Sequence, residues 1–153
     1  MEKRIIYVTG FIGSRRRELA RQLAEDRGLP YLDLDLEIQA RDGRSVQRIA
    51  RTMGEHEVRN KEYEVLASLE KGAGLVVAVS DGAVLDDQCL EMLEAGEVVI
   101  ADADLPPMEL WELACQDPAP AYAFLLGEDR EAGLRKFMEL YDVRMPIYRR
   151  FLK

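Results

Sequence analysis

Ile5-Ile6-Tyr7-Val8-Thr9-Gly10-Phe11-Ile12-Gly13-Ser14-Arg15-Arg16-Arg17 is the stretch on which the reading of this chain turns. Its first four residues are β-branched or aromatic and Thr9-Gly10 closes the run, the pattern of a buried strand entering a tight turn. After Gly13-Ser14, Leu19, Ala20, Leu23 and Ala24 recur at helical spacing as far as Arg27, and Gly28 supplies a C-terminal stop. Leu29 to Asp35 reads as a second short strand ending in two acids. Strand, glycine turn, helix and strand make a βαβ unit.

The alternation continues outward. Helical patterning runs from Leu36 to Arg41, breaks at Asp42-Gly43, and returns from Ser45, a plausible cap, to Met53. Glu55 to Lys71 is a longer helix, Leu75 to Val79 an apolar run suited to a central strand, and Asp86 to Ala95 a helix stopped by Gly96. Val98 to Ile100 is a further strand, Pro106 to Cys115 a helix opened by prolines, and Asp117 to Asp129 a loop or partly helical flap. A helix from Glu131 to about Tyr141 and another after Pro146 close the chain. Strands alternating with helices predict an α/β fold, a parallel sheet covered on both faces. One domain, residues 1–153, is the expectation for this length.

An apolar fraction of 48% is too high for a disordered chain, and no 18-residue uncharged stretch is present to span a membrane. The start Met1-Glu2-Lys3-Arg4 has no signal-peptide pattern, so the cytoplasm is the expected compartment. Cys89 and Cys115 lack metal or CxxC spacing and read as reduced thiols. The net charge of −8 argues against nonspecific binding to nucleic acid or membrane surfaces. That charge is segregated: residues 72–129 contain 13 acids and no Lys or Arg.

A glycine turn between a first strand and a helix is where a phosphate would sit, because backbone N–H groups and the helix dipole point there. A working phosphate loop reads G-x-x-x-x-G-K-S/T, with Gly for close approach, Lys for the β/γ-phosphates and a hydroxyl for Mg²⁺. Aligned on Gly10 and Gly13, the second required Gly is Arg15, the Lys is Arg16 and the hydroxyl residue is Arg17.

Gly28 to Asp35, then Gly54-Glu55 and Val58-Arg59 with Glu62, then Asp81-Gly82-Ala83-Val84-Leu85, and Arg144-Met145-Pro146-Ile147-Tyr148 resemble the shikimate kinase family in order and spacing, over nearly the whole chain. The resemblance implies a three-layer αβα P-loop kinase architecture with a five-stranded parallel sheet and a lid, here about residues 115–130. It also implies ATP and Mg²⁺ as cofactors and transfer of the γ-phosphoryl group to the shikimate 3-hydroxyl. Carried onto this chain, Asp35 contacts the reacting hydroxyl. Arg59, Gly82 and Arg144 hold the acid, and Asp33 lies near Mg²⁺. Gly10, Gly13, Ser14, Arg15, Arg16 and Arg17 form the nucleotide loop, with Arg16 standing in for the catalytic lysine.

Those types suit the acceptor, since a guanidinium forks a carboxylate and a carboxylate orients a hydroxyl. The donor half departs from the pattern. Arg15 adds a side chain where none is wanted, Arg16 is wider than an ammonium, and Arg17 cannot ligate Mg²⁺. The lid position around Asp117-Pro118-Ala119-Pro120 has no cation. Asp81 adds a carboxylate beside Gly82, and the expectation is that the loop arginines pair internally with Asp33, Asp35 or Asp81. The sequence thus points to a shikimate kinase-like protein with its acceptor residues kept, binding shikimate or a similar hydroxy acid, and its ATP site degraded. An active kinase with a rearranged loop and a non-catalytic binding or regulatory subunit stay open as alternatives.

Overall fold

The computed structural model describes residues 4–118 and 122–152. Four strands, β1 (Ile5–Thr9), β2 (Tyr31–Asp33), β3 (Leu75–Ala78) and β4 (Glu97–Ile100), form one parallel sheet in the order β2-β3-β1-β4. Tyr7 lies opposite Val77 on one side and Val98 on the other, and Asp33 is in register with Ala78.

Successive side chains on a strand face opposite ways. Ile5 and Tyr7 enter a large core with Leu66, Leu93, Phe137 and Tyr148, whereas Ile6 and Val8 enter a smaller one with Ala20 and Ala24. Helix α1 (Arg16–Arg27) covers that second face, its small residues allowing close approach to the sheet. The first face carries α4 (Glu55–Ser68), α5 (Asp87–Glu94) and α7 (Arg130–Arg149), which follow α2 (Leu34–Asp42) and α3 (Val46–Met53) in a layered α/β arrangement. Helix α6 (Pro107–Cys115) packs Leu110, Trp111 and Ala114 into the same core. Gly28 adopts φ 64° and ends α1, and the Ser45 hydroxyl caps α3 by accepting from the Arg48 N–H.

Three expectations are corrected. The described residues form four strands rather than the five the resemblance implied, since beyond β4 they form only α6 (Pro107–Cys115), a 3-10 turn at Ala123–Leu125 and α7. The second strand stops at Asp33, whose side chain accepts from the Leu36 N–H and starts α2, so Asp35 lies in the first helical turn. Pro146 does not divide the last helix. An internal proline costs about 3 kcal/mol, but Met145 and Tyr148 on either side of it are buried at 4% and 0% exposure. Each such burial is worth roughly 1.5–3 kcal/mol, enough to hold the helix through the defect.

The carboxyl ends of β1 and β3 meet where the Thr9 hydroxyl donates to the Ser80 carbonyl at 3.1 Å. The glycine turn after β1 and the Ser80-Asp81-Gly82 loop after β3 therefore share one crevice, the usual ligand position in an open parallel sheet.

Candidate active site

The glycine turn is anchored from below. Phe11 packs edge-on against Phe137 and Tyr141, at centroid distances of 5.0 and 5.4 Å. Gly13 has φ 89°, and a Cβ there would lie 2.1 Å from the Leu110 carbonyl oxygen of α6. Arg15 then leaves the turn toward Asp102: its backbone N–H donates to Oδ2 at 2.8 Å, and its guanidinium takes both carboxylate oxygens at 3.1 and 2.8 Å. The hydrogen bonds from Arg15 hold the Asp102 carboxyl below its usual range. The N–H groups that open a helix lack intrahelical partners, and here a carboxylate of the protein takes the one at Arg15.

Arg17 turns the other way. Its Nε donates to Asp33 Oδ2 at 2.8 Å and its Nη2 to Asp35 Oδ2 at 3.0 Å. The remaining Asp33 oxygen caps α2. Burial pushes the Asp35 carboxyl up, opposed by the nearby charges of Arg16 and Arg17. Arg16 makes no ion pair among the described residues. It lines both a larger cavity of about 390 Å³, bounded by Gly13, Ser14 and Pro118, and a smaller one of about 50 Å³, bounded by Asp35, Arg59 and Ser80. Asp81 and Tyr122 also border both.

In the acceptor half, Gly82 lies against the Arg59 guanidinium, and a Cβ at Gly82 would come within 2.4 Å of it. Arg59 pairs with Glu62 at 2.5 Å, one helical turn along α4, and Ser80 donates to the other Glu62 oxygen. Glu62 is fully buried, and burial lifts its carboxyl to about 7 despite Arg59. On the far wall, Arg144 of α7 is 2% exposed and donates to Asp81 and, at 2.9 Å, to the Tyr122 hydroxyl. Tyr122 in turn donates to Asp81 at 2.7 Å, and the Tyr148 hydroxyl donates to the Asp81 carbonyl.

Asp35 and Arg59 line the smaller cavity, Gly82 lies against Arg59, Arg144 reaches that cavity only through Asp81 and Tyr122 of its wall, and Arg16 borders both cavities. Of the expected internal pairs, Arg17 reaches Asp33 and Asp35, and Arg15 reaches Asp102, a partner the sequence did not suggest. None of the three loop arginines pairs with Asp81, because Arg144 holds it. Asp33 has both oxygens engaged, so Mg²⁺ there would have to displace Arg17, and the residues present do not fit the ion. Among the described residues, no three His, Cys, Asp or Glu side chains converge as a metal-binding group, and no helix is long and apolar enough to cross a membrane. In the flap, Ala123–Leu125 form one 3-10 turn and Tyr122 faces the site. Ala119 and Pro120 of the expected lid gap lie outside the described residues. Arg130, the first cation beyond the gap, stacks over Trp111 instead, 5.7 Å from its ring.

Sequence reading missed Tyr122, Tyr148 and Asp102 as site residues. Tyr148 follows Arg144 by four positions and so shares its helix face, a signal that was there to be read. Tyr122 sits in a flap without periodicity and Asp102 in a turn at φ 51°, and neither had one.

Comparison with known proteins identifies the family. The family model described as shikimate kinase matches residues 13–152. The bifunctional shikimate kinase/3-dehydroquinate synthase of Thermotoga maritima is 32% identical over 146 residues, which is 95% of this chain and 28% of that protein. The shikimate kinase of Chloroherpeton thalassium is 34% identical over 102 residues, 66% of this chain and 54% of that one, so this chain spans about a quarter to a half of these relatives. The shikimate kinase of Symbiobacterium thermophilum is 34% identical over 94% of this chain and 80% of its own. Among solved structures, shikimate kinase from Acinetobacter baumannii in complex with shikimate superposes with a TM-score of 0.78 at 30% identity, over 97% of this chain and 80% of that one. A site gathered at the carboxyl ends of β1 and β3, and a family match running almost from the glycine turn to the last helix, lead to one conclusion: the chain belongs to the shikimate kinase family.

Proposed function

We propose that this chain binds a small hydroxylated carboxylic acid of the shikimate type in its acceptor pocket and does not transfer a phosphoryl group from ATP. The observation that carries the reading is the guanidinium of Arg17 set between Asp33 and Asp35. In a kinase of this family those acids orient the acceptor hydroxyl and serve Mg²⁺. Here both are engaged by a cation that brings neither a hydroxyl nor an open coordination position.

The acceptor residues suit their task better. Asp35 keeps one oxygen beyond its bond to Arg17 to accept from a ring hydroxyl, and Arg59, stacked over Gly82, presents a guanidinium at the pocket wall. ATP with Mg²⁺ supplies the transferable phosphoryl group in the family. Among the described residues Arg16 alone of the loop arginines makes no ion pair, which leaves it to meet a phosphate and is the observation that favours the alternative of a weakly active kinase. Calorimetric titration with ATP-Mg²⁺ and with shikimate, followed by a coupled ADP-release assay, separates the two. Weak saturable shikimate binding without nucleotide turnover is expected, and ADP release dependent on shikimate would overturn the proposal.

A further inference from the structure

Arg144 and Asp81 form the most buried ion pair of the described residues, with side-chain exposures of 3% and 7%. Arg144 comes from α7 and Asp81 from the loop after β3, so the pair ties two distant elements across the pocket. The Tyr122 hydroxyl bonds both partners and brings the flap onto the same point. A carboxylate accepting from one guanidinium and one phenol is what a bound acid would do there, and the protein does it with its own side chain. Arg144 is not fully used by the contact. Its Nε is buried and has no hydrogen-bond partner among the described residues, although such a donor normally finds one.

The cavity beside this pair measures about 50 Å³ and shares Arg16, Asp81 and Tyr122 with the larger one. Asp81 forms part of its wall. Arg59, the other arginine of the acceptor half, is paired with Glu62. Both arginines therefore already have an acidic partner within the chain.

From this we infer that Asp81 is a tethered carboxylate that occupies the acid seat of Arg144 and Tyr122, so that a free hydroxy acid binds only by displacing it. The inference rests on the acceptor reading above and deepens it. Asp81 sets the ligand class: a carboxylate competes with it, and a neutral hydroxylated ring does not. Because Tyr122 bonds both Asp81 and Arg144, displacement also loosens the flap's hold on the pocket.

The test titrates sodium shikimate and its neutral methyl ester into the wild-type chain, Asp81→Asn and Asp81→Gly. Asparagine keeps an acceptor for Tyr122 and removes the charge. The expected result is that shikimate binds Asp81→Asn at least about tenfold more tightly than wild type while the ester is unaffected. Equal shikimate affinity in wild type and Asp81→Asn overturns the inference and leaves the acceptor reading standing. Equal tightening of acid and ester also overturns it, since Asp81 would then act by bulk. Folded variants that bind neither compound, like the wild type, overturn both. If an uncompensated Arg144 makes the variants too unstable to titrate, thermal unfolding reads the same competition. Shikimate should then raise the Tm of Asp81→Asn more than that of wild type, and the ester should not; equal shifts overturn the inference.

Discussion

Arg17 Nη2 lies 3.0 Å from Asp35 Oδ2, and the same guanidinium reaches Asp33 through Nε. A residue of the nucleotide loop is thereby bonded to the residue expected to orient the acceptor hydroxyl. The two halves of the site meet through a protein cation, where the family's chemistry has a metal ion and a phosphate.

Removing that cation leaves the buried carboxylate of Asp33 beside the partly exposed one of Asp35. Arg17 itself is 42% exposed, so the pair is worth less than a fully buried one. Arg17→Ser should cost about 1–3 kcal/mol in urea unfolding at pH 7, between the values for exposed and buried pairs. The loss should shrink as pH falls and Asp35, whose carboxyl burial pushes up, takes a proton. A variant as stable as wild type at pH 7 would show that the bridge contributes nothing.

Glu62 gives the chain a pH signature. Its carboxyl stands at about 7 in the folded chain against 4.5 in its ordinary state, chiefly through burial. Between those values the folded chain holds a proton that the unfolded chain has released. The contribution of Glu62 is therefore full below about pH 4.5 and is lost as pH rises through about 7. The difference in unfolding free energy between wild type and Glu62→Gln should change across this window by on the order of a few kcal/mol, in favour of wild type on the acid side. Parallel stability curves would exclude a raised Glu62.

What could be read in the sequence and what could not divides along physical lines. The four apolar runs, the stop at Gly28 and the cap at Ser45 rest on local chemistry, and all are found. A second strand ending in acids was legible, but its end was read at Asp35; the capping role of Asp33 places Asp35 in a helix, which composition alone does not reveal. The continuity of α7 through Pro146 depends on burial of Met145 and Tyr148, a tertiary effect. The acceptor residues could be named because their types and spacing match their task. Their partners could not: Asp81 with Arg144 and Arg15 with Asp102 are separated by 63 and 87 positions and carry no periodic signal.

Two glycines test how much of the nucleotide turn is fixed by packing. Gly13 and Gly28 both have positive φ, at 89° and 64°. A Cβ on Gly28 meets nothing within 4 Å, whereas one on Gly13 strikes the α6 backbone. Gly28→Ala should cost about 1 kcal/mol, the left-handed penalty alone. Gly13→Ala should add a steric term and cost at least about 3 kcal/mol by the same urea measurement. Equal losses would mean that α6 gives way and does not fix the turn.

The strongest test of the donor half is to rebuild it. Arg15→Gly, Arg16→Lys and Arg17→Ser together return the flexible position, the ammonium and the hydroxyl, and they free Asp33 and Asp35 from Arg17. The triple variant should bind ATP-Mg²⁺ saturably where the wild type does not, as read by calorimetry. Its turnover should nevertheless remain slow, because residues 72–129 contain no cation and Arg130 is stacked on Trp111. A cation at the transferring phosphoryl group is worth ~10³–10⁵ in rate. Pro118 lines the larger cavity, so Pro118→Arg added to the triple variant should raise ADP release by more than about tenfold, a small part of that range because the flap was not built to aim it. A wild-type chain that already turns over ATP as fast as the triple variant would show that the three loop arginines are not the defect.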